Sequence, residues 1–294
     1  MSLEQALNTA QQHIADVFDH YLSELPVNKK DTLHQAMAYS LTNGGKRIRP
    51  FLVFIVADIL GLPTKDVSAA AAALEIIHCY SLVHDDLPAM DDDELRRGKP
   101  TCHIQFNEAQ AILAGDALQP FAFEILATAQ QTDAVKVKWV QSLAQAAGIV
   151  GMCGGQSFDL EAENKQLTLI ELENIHNRKT GALLSCAIEL ACAAKPNLPP
   201  QEQQELLTFA KNIGLAYQVR DDILDVISST EVLGKPQGSD VKLLKSTYPA
   251  LMGLEEAQVK ADSLYQEALE ALSRLPYNTQ QLADFAAYIV KRNY

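Results

Sequence analysis

Aromatic residues are scarce in this chain: they make up 6% of its 294 residues, and there is one tryptophan. We find no convincing run of alternating apolar and polar residues joined by hairpin turns, which is the pattern of half-buried strands. Alanine, leucine and glutamine recur instead, and this composition favours helices over strands. The sequence therefore predicts a helical protein.

Basic residues are also in short supply. The chain has 24 Lys and Arg against 37 Asp and Glu, so its formal net charge is −13. Proteins that bind nucleic acid usually present a basic face, and none is evident here, so we expect no nucleic-acid partner. If the ligand is an anion, local clusters of Lys and Arg must hold it.

Cysteine pairs and an apolar N-terminal core are not evident either. The five cysteines form no C-x-x-C pair and mostly lie in apolar helical contexts, which indicates free thiols in a reducing compartment. The N-terminal stretch is polar and amphipathic, unlike a signal peptide. The longest apolar runs, FLVFIVADIL and GALLSCAIELACAA, contain Asp58 and Glu189 and are too short to span a bilayer. We therefore expect a cytoplasmic protein without stable membrane insertion.

Apolar residues recur at three- and four-residue spacing over most of the chain, as in amphipathic helices. Thr168 and Glu171 have the spacing of a capping box, which predicts a helix start. No long linker separates two halves, so we expect one all-α domain over residues 1–294. The predicted helices cover residues 3–22, 31–42, 50–60, 67–87, 107–129, 136–160, 168–194, 201–228, 247–273 and 279–291.

One acidic cluster lies in HCYSLVHDDLPAMDDDELRRG, residues 78–98. Chance placement gives roughly five adjacent acidic pairs in a chain of this composition, so one pair carries little weight. Here, however, Asp85 shares a helix face with His78 at the end of an alanine-rich helix. Pro88 cannot continue that helix, so the chain can fold Asp91 back towards Asp85 and Asp86.

A second acidic cluster lies in NIGLAYQVRDDILDVI. Gln218, Asp221, Asp222 and Asp225 form one stripe at steps of three and four, surrounded by apolar residues that make their charge costly. Carboxylate oxygens suit Mg²⁺, which typically bridges a few Asp side chains to substrate phosphates. Two such clusters facing each other would clamp a diphosphate–Mg²⁺ complex.

Basic residues accompany these acids. GGKRIRP places Lys46, Arg47 and Arg49 after two glycines that let the backbone approach an anion, and LRRG adds Arg96 and Arg97. GGKRIRP is not a Walker loop, because the glycine spacing and the downstream Ser or Thr are absent. Each residue alone is typical of a surface charge. Together with the acids they indicate two anion sites, one reached through Mg²⁺ and one through Arg and Lys alone.

The chain resembles the trans-isoprenyl diphosphate synthases, nearest to the bacterial farnesyl diphosphate synthases. DDLPAMD and DDILD are similar to the two Asp-rich motifs of that family, and the bacterial type has the same two extra residues in its first motif. GGKRIRP, GGQSFDL, KTGALL, YQVRDDILD and GKPQGSD…KSTYP resemble family blocks in the same order. The resemblance runs from about residue 30 to the C-terminus.

The resemblance implies an all-helical bundle around a deep central cavity, usually a homodimer. It implies that isopentenyl diphosphate is joined to dimethylallyl and then geranyl diphosphate by ionisation, condensation and elimination, giving farnesyl diphosphate. The alternative is the same chemistry stopping at a C20 or C10 product. Three Mg²⁺ ions are implied for each active site, with Mn²⁺ as a substitute, and released diphosphate would accept the final proton.

The resemblance also implies residue roles. For the metal ions, Asp85 and Asp91 bind two and Asp221 a third, with Asp86, Asp222 and Asp225 in support. The allylic diphosphate is held by Arg96, Lys179 and Lys235, and isopentenyl diphosphate by Lys46, Arg49, His78 and Arg97. Thr180 and Gln218 turn oxygen dipoles towards the allylic cation, completing a catalytic set with Lys179. Tyr80, followed by Ser81, forms a pocket floor that limits chain length, although simple core packing is an alternative role for Tyr80.

Other interpretations remain. Glu75–His78 and Glu173–His176 have the Glu-x-x-His spacing of di-iron bundles, which also need a Glu from each of two further helices. His84-Asp85 resembles the metal doublet of helical phosphohydrolases, a scheme in which DDILD has no place. A non-catalytic subunit of a heteromeric prenyltransferase would usually lack one Asp-rich motif, and both are intact.

One glycine-rich segment, GMCGG, predicts close packing rather than a membrane motif. Gly151 and Gly155 have G-x-x-x-G spacing but do not lie in an apolar span. We expect them to let helices approach beside the cavity, with Gln156 and Asp159 near the substrate.

Overall fold

The computed structural model describes residues 2–163, 165–227 and 246–291, and their regular structure is almost entirely helical. The expected all-α class is confirmed. The chain forms two compact units, one of Met1–Gln141 with Leu190–Lys195 and one of Ser142–Glu189 with Pro196–Tyr294. The single domain over residues 1–294 stays a prediction.

The first unit is built around one buried helix. Helix α4 (Ser68–Asp85) packs most extensively against α6 (Glu108–Thr128), because its run of five alanines, Ala69–Ala73, lets another backbone approach closely. Trp139 is fully buried, and its indole N–H donates to the carbonyl of Leu190 at 2.7 Å, which ties helix Asp133–Ala147 to the end of helix Ala182–Ala194. The helices that begin in this unit are α1 (Leu3–Glu24), α2 (Thr32–Thr42), α3 (Ile48–Ile59), α4 (Ser68–Asp85), α5 (Cys102–Gln105), α6 (Glu108–Thr128) and α7 (Asp133–Ala147), with a 3₁₀ turn at Thr64–Asp66.

A small hairpin follows α4 and was not predicted. Strands β1 (Leu95–Arg96) and β2 (Lys99–Pro100) pair antiparallel, and Arg97 and Gly98 between them both have positive φ, at 56° and 77°. Such a two-residue turn matches the twist of paired strands. Strands of two residues are too short for alternation to show in the sequence.

The second unit is dominated by the packing of α11 (Pro200–Ile227) against α13 (Leu254–Ser273). Thr168 and Glu171 form the predicted capping box at the start of α9, with the Thr168 N–H donating to Glu171 at 2.8 Å. The helices here are α8 (Met152–Glu161), α9 (Leu169–His176), α10 (Ala182–Ala194), α11 (Pro200–Ile227), α12 (Tyr248–Met252), α13 (Leu254–Ser273) and α14 (Gln280–Lys291).

Three predicted helices are interrupted. The predicted helix 136–160 breaks around Gly148 and Gly151, and the predicted helix 247–273 breaks at Gly253, whose φ is 89°. The predicted helix 168–194 changes at Asn177–Gly181, a π-helical segment that we call the π turn. Glycine and local packing cause these breaks, and apolar spacing alone does not reveal them.

The structure also bears on the cysteines and on possible membrane spans. All five cysteines are free thiols and four are buried, whereas Cys153 is exposed. Among the described residues, α6 has the length and apolar character of a possible membrane span, a feature the sequence analysis did not single out. One helix of this kind is weak evidence for a membrane span, since a core helix of a soluble protein can have the same length and apolar character.

Candidate active site

The first acidic cluster folds back as its proline predicts. Helix α4 ends at Asp85, and the backbone N–H of Asp91 donates to the carbonyl of Asp85 at 2.9 Å. This bond returns the chain after Pro88 and confirms the predicted approach of Asp91 to the helix end. Asp91, Asp92 and the rest of the acidic stretch are exposed to solvent.

Asp86 has a different environment from its neighbours. Its side chain is almost completely buried, and both carboxylate oxygens accept from Nε of Arg96, at 2.7 and 2.9 Å. Burial raises the pKa of Asp86 above its usual value, although Arg96 opposes this shift. Asp86 therefore holds Arg96, a predicted diphosphate ligand, at the base of the exposed acidic loop.

The residues predicted to bind isopentenyl diphosphate gather in the first unit. Burial lowers the pKa of His78 well below its usual value, and the positive charges of Arg49 and Arg97 lower it further. His78 is therefore neutral at pH 7 inside a strongly positive field. Lys46 is exposed and lies two residues before α3 begins at Ile48.

The glycines of GGKRIRP make room for an arginine. The guanidinium of Arg97 donates to the carbonyl of Gly44, and a Cβ on Gly45 would overlap that guanidinium. The group that approaches these glycines is therefore the Arg97 side chain. This contact fixes one cation of the positive field.

Arg47 has a structural partner. Its guanidinium pairs with Glu75 at 2.8 Å, and both side chains are buried. Glu173, the other glutamate of the Glu-x-x-His pairs, bonds to Lys260 at 2.9 Å. Both glutamates thus serve as partners for cations, which argues against the di-iron interpretation.

A small pocket, with a volume of about 30 Å³, lies beside these groups. Asp86, Arg96 and Arg97 contribute charged walls, while Cys79, Leu82 and Val83 of α4 contribute apolar ones. Tyr39 closes part of its rim by donating to the carbonyl of Pro100 at 2.7 Å. Within the first unit, one pocket is therefore lined both by a carboxylate of the first acidic cluster and by the neighbouring arginines.

The predicted chain-length residue Tyr80 is a core residue of α4. Its side chain is 4% exposed, and its ring meets the ring of His84 edge-on, with centroids 5.9 Å apart. Ser81 donates to the carbonyl of His78 at 2.9 Å. The core-packing alternative for Tyr80 and the floor role both agree with this burial.

In the second unit, Lys179 and Thr180 lie in the π turn. Nζ of Lys179 is 2.6 Å from Oδ2 of Asp159 on α8, so Asp159 holds this lysine. A Cβ on Gly155 would overlap the backbone N of Lys179, which confirms the predicted close packing at this glycine. Single π-helical turns are frequent at functional sites.

The second acidic cluster lies near the end of α11. Asp222 and Asp225 are buried and Asp221 is half-buried. Oδ2 of Asp222 accepts from the backbone N–H of Tyr248 at 2.9 Å. One carboxylate of the motif therefore also anchors the start of α12.

Gln218 has a histidine neighbour that the sequence analysis linked only to a di-iron pattern. His176 hydrogen-bonds the Gln218 side chain, and its ring stacks on Tyr248 with centroids 5.7 Å apart. Burial lowers the pKa of His176 to about 4, so this imidazole is neutral at pH 7. His176 and Tyr248 thus support Gln218 and Asp222 together.

The donor set fits Mg²⁺ chemically. All six predicted metal ligands are carboxylates, and Mg²⁺ usually takes one or two carboxylates together with waters and substrate phosphates. No group of three or more His, Cys, Asp or Glu residues is placed to hold a metal in the part of the chain that the structure describes. With Asp91 folded back towards Asp85, the two carboxylates would form part of a metal site that substrate phosphates would complete.

The structure thus brings most predicted residues into two local groups. One contains His78, Arg49 and Arg97 with the first acidic cluster, and the other contains Lys179 and Thr180 beside Asp159, and Gln218 with the second acidic cluster. Lys235 lies outside the described residues.

Comparisons with known proteins agree over the whole chain. Residues 30–284 match the family model described as polyprenyl synthetase. The chain is 53% identical to the farnesyl diphosphate synthase of Haemophilus influenzae over 88% of each protein, and 46% identical to that of Escherichia coli over the full length of both. A geranyltransferase from Legionella pneumophila has a similar structure, with a TM-score of 0.88 and 35% identity over 99% of this chain and 97% of that one. The chain therefore belongs to the polyprenyl synthetase family and is a prenyltransferase.

Proposed function

We propose that the enzyme joins isopentenyl diphosphate to dimethylallyl and then to geranyl diphosphate, giving farnesyl diphosphate and releasing diphosphate at each step. The observation that carries the proposal is the arrangement within the first unit. A carboxylate pair, Asp85 with Asp91, lies on the same segment as an arginine field around neutral His78. These are the two means by which a protein recognises diphosphates, through a metal and through cations alone.

The carboxylates would hold Mg²⁺, three ions in each active site, with Mn²⁺ as a substitute. Asp85, Asp91 and Asp221 would be direct ligands, with Asp86, Asp222 and Asp225 in support. When bound, the metal offsets the negative charge that develops on the leaving diphosphate. Asp86 also keeps Arg96 in place for the same diphosphate, because its carboxylate accepts from Nε and pairs with Nη2, which also contacts Asp93.

Isopentenyl diphosphate would bind through Lys46, Arg49, His78 and Arg97 without metal. A neutral His78 adds a hydrogen-bond donor without adding to the repulsion among the surrounding arginines. Because Arg97 is fixed by the Gly44 carbonyl, little side-chain entropy is lost when the anion binds.

Lys179 and Lys235 would join Arg96 on the allylic diphosphate. Lys179 is held by Asp159, so its ammonium group is oriented before substrate arrives. Thr180 and Gln218 would present oxygen atoms to the allylic cation, which lowers the barrier because preorganised dipoles need no rearrangement. Gln218 is oriented by the neutral His176, which offers one donor and one acceptor. The final proton would leave with the released diphosphate.

Tyr80, with Ser81 beside it, would form the floor that stops growth at C15. We also propose that the enzyme is a single-domain homodimer in the cytoplasm, with neither nucleic acid nor membrane insertion involved.

The test is to incubate the purified protein with labelled isopentenyl diphosphate, dimethylallyl diphosphate and Mg²⁺, and to size the products. We expect C15 as the main product and no growth when a chelator is present. A protein that shows no Mg²⁺-dependent growth would refute the prenyl condensation. Growth that stops mainly at C20 or C10 would refute the proposed floor and leave the condensation in place.

A further inference from the structure

His84 is tied to a neighbouring helix by its ring. It is the penultimate residue of α4, and its Nε2 lies 3.1 Å from the carbonyl oxygen of Ile112 on α6. A carbonyl only accepts, so Nε2 carries the hydrogen of this bond. The imidazole therefore has a fixed position with respect to α6.

The space for the ring is provided by a glycine. Gly115 lies about one helical turn after Ile112 on α6, and it is buried. A Cβ at Gly115 would overlap the imidazole of His84, with Cε1 only 2.7 Å away. The absence of a side chain at this position is what allows His84 to reach the Ile112 carbonyl.

The same ring also contacts the proposed floor. Tyr80 is four residues before His84, so the two side chains lie one above the other on α4. Their rings meet edge-on, at an interplanar angle of 82°. Thus α6 holds His84, and His84 holds one side of the Tyr80 ring.

We propose that His84 is a positioning residue for product length, acting through Tyr80. The inference rests on the proposed function, in which Tyr80 stops the growing chain. A floor works only if its ring does not yield when the apolar chain presses on it. The contact with His84 resists that movement, and the hydrogen bond to Ile112 keeps His84 from moving with the ring.

The experiment compares product lengths of five variants made with dimethylallyl and isopentenyl diphosphates. In His84→Ala, we expect the ratio of C20 to C15 product to rise roughly three- to tenfold, the effect of losing one edge-to-face contact. Tyr80→Ala should lengthen the product more, and adding His84→Ala to Tyr80→Ala should change nothing further. His84→Gln retains a donor near the ε position and should recover part of the hydrogen bond, with a smaller rise.

Gly115→Ala is a second route to the same effect that leaves the first acidic cluster unaltered. Its methyl group should displace His84 and shift the product ratio in the same direction, with the Mg²⁺ concentration for half-maximal rate unchanged. Unchanged C15 output from His84→Ala, or additive lengthening in the double variant, would overturn the positioning role. A wild-type protein that makes no prenyl chain at all would instead refute the proposed function.

Discussion

Gly155→Ala tests whether close packing under the π turn sets the position of the catalytic residues. An alanine Cβ at residue 155 would overlap the backbone N of Lys179 and lie 2.8 Å from the carbonyl carbon of Arg178. These neighbours are backbone atoms, so they cannot rotate away as a side chain would. Ordinary contacts begin at 3.4 Å, so relieving the Arg178 contact alone requires a separation of 0.6 Å, and the closer Lys179 contact requires more.

That displacement predicts a loss of catalytic rate as well as a loss of stability. Overpacking of this kind costs about 1–3 kcal/mol of stability. Lys179 and Thr180 lie in the displaced segment, and a misplacement of about 1 Å can reduce a reaction rate by about 100-fold. We therefore expect kcat to fall about 100-fold while the KM for isopentenyl diphosphate changes little, since that substrate's proposed ligands lie in the other unit.

Gly214→Ala is the matched control. It is also a buried helical glycine, but a Cβ there would lie 3.4 Å from a Leu184 methyl group and 3.5 Å from Cα of Gly181, which are ordinary contacts. Steady-state kinetics and thermal unfolding of both variants provide the comparison. A Gly155→Ala enzyme with wild-type kcat, or equal losses in the two variants, would refute the reasoning.

Three other predictions follow from buried and charged groups. Arg47→Met should destabilise the protein by about 3–5 kcal/mol in urea unfolding, because Glu75 would remain buried without its partner, and a smaller loss would contradict this view of the pair. Arg97→Gln should raise the KM for isopentenyl diphosphate roughly 10- to 100-fold with less change in kcat, as expected for losing a charge-assisted bond, and an unchanged KM would exclude Arg97 from that site. Burial lowers the pKa of His176 to about 4, so the neutral form stabilises the fold fully above pH 6.5, and this contribution is lost as the pH falls from 6.5 towards 4. The free energy of unfolding, measured from pH 6.5 to pH 4, should fall less steeply in His176→Gln than in the wild type. Parallel curves for the two proteins would contradict the lowered pKa of His176.

Local chemistry made the first acidic cluster predictable from sequence. Pro88 excludes a continued helix, and the structure returns Asp91 to Asp85 as the end of the helix allows. The capping box at Thr168 was visible for the same reason, since its partners are three residues apart. Features decided by neighbours in sequence can be inferred without knowing the fold.

Long-range partners could not be predicted in this way. The pairing of Arg47 with Glu75 joins residues 28 apart and depends on how α3 and α4 pack. The π turn around Lys179 depends on contact with Gly155, and apolar periodicity alone indicated an unbroken helix there. The resemblance to a known family supplied residue roles, but only the packing shows which partners hold those residues.

The central claim is that carbon–carbon bond formation accompanies every diphosphate released. The direct measurement uses geranyl diphosphate and isopentenyl diphosphate with Mg²⁺, counting both the C15 product and the diphosphate formed. The account predicts farnesyl diphosphate and diphosphate in equal amounts, with neither formed after chelation of the metal. Release of phosphate or diphosphate without a C15 product would contradict it and favour a phosphohydrolase.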